Sequence, residues 1–222
     1  MRICAIVPTR GDRKILFDRA MFYLDRQTVQ VDKIIVDYPP EGEVNDVTAR
    51  YHNGIDWAIA ENYDVAFLIE DDDWYAPDYI EKMIAAWISK GQPNLFGIGE
   101  TVYYHIAVNK YRRIPHITRS SAMSTMVKPK VLEGFKWPTT ERPFFDVILW
   151  NHVNSKNAAT IVFDKPINVG IKHGLGATAG VGHRRDWREY QKGNDPNWVW
   201  LAAVIDEDSL NFYKNLKLLV NK

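Results

Sequence analysis

Cysteine is almost absent from this chain. Cys4 is the only one in 222 residues, which excludes an internal disulfide framework and a cysteine-built zinc site; it reads as a small buried apolar residue. Long apolar runs are missing as well. No stretch approaches the roughly 20 residues that span a bilayer, and residues 1–4 enter a strand without a signal-peptide pattern, so the expected location is cytoplasmic. Internal repeats and low-complexity linkers are also lacking, and 222 residues read as one domain able to bury a full core. Net charge is zero, with 28 basic and 28 acidic side chains, but the balance is uneven along the chain. Residues 1–100 carry 10 Lys+Arg and 18 Asp+Glu (net −8), and residues 101–222 carry 18 and 10 (net +8). An acidic half holding a metal beside a basic half suits a phosphorylated or anionic partner; equally, the two halves attract each other across an interface.

What stands out among the residues present is an apolar run, 65–69, cut off by Glu70-Asp71-Asp72-Asp73 and succeeded by Trp74, Tyr75 and Pro77. A short apolar run ending abruptly in polar residues fits a parallel strand covered on both faces. Adjacent acids at the end of such a strand repel one another and need compensation by a divalent cation, by Arg and Lys, or by water. Carboxylate oxygens suit Mg²⁺ or Mn²⁺, and the carboxyl ends of parallel strands are where open α/β sheets bind ligands.

Strand and helix alternate through the first half. Residues 3–7 form a strand stopped by Pro8, and 15–27 place Leu16, Ala20, Tyr23 and Leu24 at helical spacing. Residues 33–37 form a second strand. A helix beginning at Asp46 or Thr48 puts Ile55, Ala58 and Ile59 on one face. Residues 77–89 form a helix with proline in its first turn. This order predicts a parallel sheet with right-handed crossovers. Beyond Gly91 the pattern is less regular. One or two strands are expected in 96–108, short strands at 125–127 and 160–163, helices at 129–134 and 144–153, and a closing amphipathic helix over 206–220. Residues 167–185 are glycine-rich and poor in apolar pattern, and the glycines through Gly182 suggest a lid or a loop that is merely flexible.

Four pieces, in order, resemble the GT-A glycosyltransferases of the family-2 type: Ala5 to Arg10; Ile34 to Asp37; Ala49-Arg50 with Asn53-Gly54-Ile55; and Phe67 to Trp74 leading to Pro77-Asp78-Tyr79-Ile80. The resemblance covers about the first ninety residues, with weaker echoes at Ser124 to Phe135 and at Phe145-Asp146. It implies an α/β GT-A fold, a Rossmann-like and mostly parallel central sheet flanked by helices. About residues 1–100 would be the nucleotide-sugar and metal half, and about 101–222 a less regular acceptor half. It also implies transfer of a sugar from a nucleotide diphosphate, with Mn²⁺ or Mg²⁺ bridging the phosphates as Lewis acid and template. By resemblance, Asp72 takes the metal, Glu70 is the first acid of the motif (where the family usually has Asp) and Asp71 faces the ribose. Asp37 accepts from the base, Pro8, Thr9 and Arg10 line the nucleoside, and Arg50, with Asn53 after it, meets the base or diphosphate. His173 matches a late histidine that adds a metal ligand in some members, the alternative being a loop histidine with no such task; Lys172 would contact the diphosphate. Asp73 reads as structural, a cap for the next turn or helix. A UDP-sugar is the default donor.

The acceptor hydroxyl needs a general base within hydrogen-bond reach. Asp146, set in an apolar stretch whose burial would raise its pKa, is the candidate, with Glu141 in reserve. Its alternative reading is a helix cap or a salt bridge to Arg142. A single base of this kind implies inversion, again by resemblance. The expected acceptor is a glycan precursor or other small hydroxyl compound. The basic second half also admits a hydroxyl-bearing modified base in DNA, through Arg112, Arg113, Arg119, Lys128, Lys130, Arg184 and Arg185. His183-Arg184-Arg185 with Arg188 reads as an anion contact or a solvated face. His52, His105, His116 and His152 show no ligand spacing. Trp137, beside Pro138, is the indole singled out for substrate contact. A nucleotidyltransferase would bring a glycine- and lysine-rich loop after the first strand, whereas residues 8–12 hold one glycine. A binding module would keep the pocket and lack a working base.

Overall fold

The computed structural model describes residues 1–11, 13–37, 47–138, 145–154, 157–174 and 192–220. Strands β1 (Ile3–Thr9), β2 (Asp32–Asp37) and β3 (Val65–Leu68) run parallel, joined through helices α1 (Lys14–Asp25) and α2 (Val47–Ala60). Three further strands complete a six-stranded sheet in the order β2-β1-β3-β8-β5-β9: β5 (Leu95–Ile98), β8 (Thr125–Val127) and β9 (Ala158–Ile161). β8 pairs antiparallel with both β3 and β5, and β9 is parallel to β5. Five of the six strands therefore share one direction.

The inner strands β1, β3, β8 and β5 are buried on both faces, which is why their sequences read as continuous apolar runs, whereas edge strand β2 alternates and leaves Ile35 exposed. Ala5, Val7, Val65 and Phe67 face a layer holding Leu16, Tyr23 and Leu24 of α1, Met83 and Trp87 of α3 (Tyr79–Ser89), and Tyr213 and Leu216 of α6 (Glu207–Val220). Cys4, Ile6, Ala66 and Leu68 face the other layer, with Tyr51, Ile55 and Ala58 of α2 and Leu149, Trp150 and Val153 of α4 (Phe145–Asn154). On that side α2 lies very close to β1. A Cβ at Gly54 would sit 2.3 Å from Ile6 Cγ2, so glycine is what permits the approach.

A second sheet, order β11-β7-β6-β10-β4, is built from β4 (Trp74–Tyr75), β6 (Glu100–His105), β7 (Lys110–Pro115), β10 (Asn168–Lys172) and β11 (Gly193–Asn194). The short helix α5 (Val199–Val204) precedes α6.

Several sequence expectations shift. β1 continues through Pro8 instead of stopping there. The Ile69 N–H donates to Ile6 O, so alternate residues of β1 from Ile6 onward point toward β3, and Pro8 faces that side beyond the last rung, Ile6 with Leu68. A missing N–H there leaves no ladder bond unmade. α3 starts at Tyr79, leaving Pro77 outside it. The strand expected over 160–163 is β9, two residues earlier. The first part of the glycine-rich segment is a buried inner strand, β10, between β6 and β4: Gly170 lies against the Tyr103 ring, where a Cβ would come within 2.5 Å of Cδ1. Residues 175–182, the expected lid, lie outside the described residues.

Candidate functional site

The acidic loop leaves the carboxyl end of β3 and folds back at once, because the Glu70 N–H donates to the Tyr75 hydroxyl at 2.9 Å. This turn brings carboxylate oxygens of Glu70, Asp72 and Asp73 within 4.8 Å of one another. Asp73 does not cap α3. Its Oδ1 accepts from the Ile171 N–H of β10 at 2.8 Å, its Oδ2 is buried with no hydrogen-bond partner among the described residues, and the residue preceding α3 is Asp78. The reading of Asp73 as a cap is therefore corrected: it belongs to the cluster. β10 also delivers His173, fully buried, whose Nε2 lies 3.0 Å from Asp72 Oδ2.

A cation expected only in general terms is supplied by Arg13, on the loop between β1 and α1. One guanidinium nitrogen donates to Asp72 Oδ2 and the other to Asp71 Oδ1 at 2.7 Å. No local signal marks Arg13 for this role; only the parallel pairing of β1 with β3 brings their two carboxyl-end loops side by side.

The electrostatics stem from crowding like charges in a dry place. Burial pushes the Glu70 carboxyl up to about 7; the Lys172 charge opposes this, and repulsion from Asp72, Asp146 and Asp71 adds to it. Asp73 is raised well above the usual range by burial, then by Glu70 and Asp72. Burial lowers the His173 imidazole despite the pull of Asp72. Clustered oxygens, one of them buried without a partner among the described residues, and carboxyls driven toward their protonated forms are what an oxygen-ligated divalent cation would relieve. The donor set fits Mn²⁺ or Mg²⁺.

Asp146 lies in the first turn of α4, nearly buried, with Arg119 Nη1 donating to its Oδ2 at 3.1 Å. Arg142, its expected partner, is outside the described residues, as are Glu141, His183, Arg184, Arg185 and Arg188. Burial raises the Asp146 pKa, with Arg119 and the backbone N–H groups of Val147 and Asp146 opposing. The Coulomb repulsion of Asp146 on Glu70 places the two carboxyls in one electrostatic neighbourhood.

The nucleoside candidates sit at the neighbouring strand ends. Register pairs Pro8 with Val36 and Thr9 with Asp37, and Arg10, half-buried, comes directly after Thr9. Arg50 is buried and donates through Nη1 to the carbonyls of Thr9 and Val36, the second at 3.3 Å, so it ties the ends of β1 and β2 together from beneath. Asn53 is exposed on α2. Lys172, at the end of β10, stands over the Tyr103 ring, 4.7 Å from its centroid. Trp137 is stacked on His52 at 5.0 Å, with Phe135 edge-on.

No family model matches the chain, and no curated protein matches its sequence. Solved structures do. S. aureus TarS 1–349 in complex with UDP-GlcNAc superposes with a TM-score of 0.57 at 14% identity, over 78% of this chain and 59% of that one. The same TarS fragment with UDP gives 0.53 at 14% identity, over 77% and 60%. A glycosyltransferase involved in glycosylation of the major capsid of PBCV-1 gives 0.47 at 12% identity, over 77% and 93%. The fold is that of a GT-A glycosyltransferase. The chain spans about three-fifths of the TarS fragment. Among the described residues, no helix is long and apolar enough to cross a membrane.

Proposed function

We propose that the protein transfers a sugar from a nucleotide diphosphate, UDP by default, to a hydroxyl acceptor, with Mn²⁺ or Mg²⁺ held by Glu70, Asp72 and Asp73 and with His173 beside Asp72. The observation that carries this reading is the convergence of these carboxylates at the end of β3, with one buried oxygen of Asp73 lacking a partner among the described residues. A cation bound there would bridge the diphosphate and stabilise the charge that develops as the glycosidic bond breaks. The shared fold with TarS structures determined with UDP-GlcNAc and UDP supports a uridine donor.

The chain's own residues have distinct tasks in this reading. Pro8, Thr9, Arg10 and Asp37 form the nucleoside edge at the ends of β1 and β2, with Asp37 accepting from the base; Asp71 faces the ribose. Arg50 acts on this edge through the carbonyls it holds, and Asn53 serves only if the donor reaches the exposed face of α2. Lys172 offers its ammonium to the diphosphate. Asp146 takes the proton from the acceptor hydroxyl as that oxygen attacks the anomeric carbon, which inverts the configuration. Burial prepares it to hold that proton. A glycan or other small hydroxyl acceptor is preferred to a base in DNA, because Arg113, Arg119 and Lys130 are engaged by Glu100, Asp146 and Glu133. The test is release of UDP from a panel of UDP-sugars with Mn²⁺ and hydroxyl acceptors. Acceptor-dependent release that stops on chelation supports the reading, and no release from any nucleotide sugar overturns it.

A further inference from the structure

We propose that Arg13 is an internal counter-cation that holds the acid cluster closed to a divalent metal until a diphosphate draws the guanidinium away, so that metal and nucleotide bind as a coupled pair. This rests on the donor reading above and adds to it a positioning residue and an order of events.

The geometry is that of a clamp. The guanidinium fork bridges Asp71 Oδ1 and Asp72 Oδ2. Both acids are almost wholly buried, and the Arg13 side chain is 19% exposed, so the pair is screened little by water. Asp72 is shared: it also belongs to the set of oxygens that converge with Glu70 and Asp73. A metal on that set would stand beside a guanidinium bonded to one of its own ligands, and two cations at such range repel strongly where water is scarce. Arg13 bonded to Asp72 therefore opposes metal entry.

The residue has somewhere to go. Arg13 lies in the loop that follows Thr9, beside the strand end where β1 and β2 are in register at Thr9 and Asp37. A nucleotide whose nucleoside sits at that edge carries its diphosphate toward the acid cluster, and the diphosphate presents the paired anionic oxygens that a guanidinium fork matches best. Exchanging its acids for the diphosphate keeps Arg13 neutralised throughout and removes the positive charge from Asp72, whose Oδ2 then keeps His173 beside it. Asp73 is the second sign that the clamp is incomplete. With Arg13 in place, its buried Oδ2 still has no hydrogen-bond partner among the described residues, so Arg13 closes one side of the cluster and leaves the other prepared.

The test measures Mn²⁺ binding by the electron paramagnetic resonance signal of free Mn²⁺, with and without UDP, on the wild-type chain, Arg13→Met and Arg13→Lys. The wild type is expected to bind Mn²⁺ weakly alone and about tenfold or more tightly with UDP; UDP affinity should rise by the same factor with Mn²⁺, as linkage requires. Arg13→Met should bind Mn²⁺ alone about tenfold more tightly than wild type, with the coupling to UDP reduced by at least that factor. Arg13→Lys, which keeps the charge but reaches only one acid at a time, should fall between them, and it carries the test if the methionine variant does not fold. Unchanged Mn²⁺ affinity in the variants, with UDP still bound in the presence of Mn²⁺, overturns the role of Arg13 and leaves the donor reading standing. Failure of the wild type to bind UDP with Mn²⁺ overturns the donor reading and this inference with it.

Discussion

Ile171 and Asp73, 98 positions apart in sequence, are joined by a 2.8 Å hydrogen bond from the Ile171 N–H to Asp73 Oδ1. This bond ties the acidic loop of the first sheet to β10, an inner strand of the second, so the cluster is fixed from both sides. It also defines what Asp73→Asn should do. The amide oxygen can still accept from Ile171, and the substitution removes a buried charge whose ionised form burial disfavours. Mn²⁺ affinity is expected to fall about tenfold or more, with the melting temperature unchanged or raised. Equilibrium Mn²⁺ binding and a thermal melt on the same sample check both halves, and a lower melting temperature with intact Mn²⁺ binding would make Asp73 purely structural.

Gly54→Ala sets two effects of opposite sign against each other. Alanine in a helix interior gains up to about 1 kcal/mol over glycine. Here its Cβ would lie 2.3 Å from Ile6 Cγ2 and 3.3 Å from Val36 Cγ2, and overpacking of that kind costs about 1–3 kcal/mol. The clash is expected to win, lowering the melting temperature by about 2–4 °C for each net kcal/mol. Adding Ile6→Ala should recover part of the loss attributed to the clash in a double-mutant cycle; full additivity would show that the two side chains do not collide.

Asp146→Asn separates chemistry from binding. Loss of a general base is expected to lower kcat by about 10²–10⁴-fold while UDP affinity in the presence of Mn²⁺ stays within about twofold. The base must be ionised to act, and its pKa is raised by burial. The acid limb of the wild-type rate profile should therefore have its midpoint above the ordinary aspartate value near ~3.9. A variant with wild-type kcat would move the proton acceptor elsewhere.

His116 gives a pH signature outside the site. Burial, with the Arg119 charge adding, pushes its pKa down to about 4, and its Nε2 lies 2.8 Å from Thr101 Oγ1. The unfolded chain takes up this proton near ~6.5. Lowering the pH from there toward about 4 thus costs stability, and the loss levels off once the folded form is protonated too. An imidazole NMR titration of His116 should show a midpoint near 4, and a midpoint near ~6.5 would show the ring to be solvated.

The first half of the fold was legible because strands buried on both faces and helices buried on one leave strong patterns: Leu16, Ala20, Tyr23 and Leu24 all lie in the core as their spacing predicts. The second half was harder. β7 is the charged sequence Lys110–Pro115, partly exposed, and is identified mainly by its pairing with β6. β10 hides behind Gly170 and behind Asn168, a buried amide that donates to Met123 O and Ser124 Oγ. Within the site, acids at a strand end signalled a need for positive charge. The partner that meets it, Arg13, is brought there by the pairing of β1 and β3, as Ile171 is brought to Asp73 by β10. Neither relation leaves a trace in local spacing.

The central claim is that Glu70, Asp72 and Asp73 hold a cation whose other partners are diphosphate oxygens. The most direct measurement is isothermal titration of UDP into the wild-type protein and into Asp72→Asn, each with Mn²⁺ and with EDTA. The expected result is saturable binding by the wild type with Mn²⁺, weakened about tenfold or more by EDTA and lost to a similar degree in Asp72→Asn. UDP binding that ignores both Mn²⁺ and the substitution would contradict it.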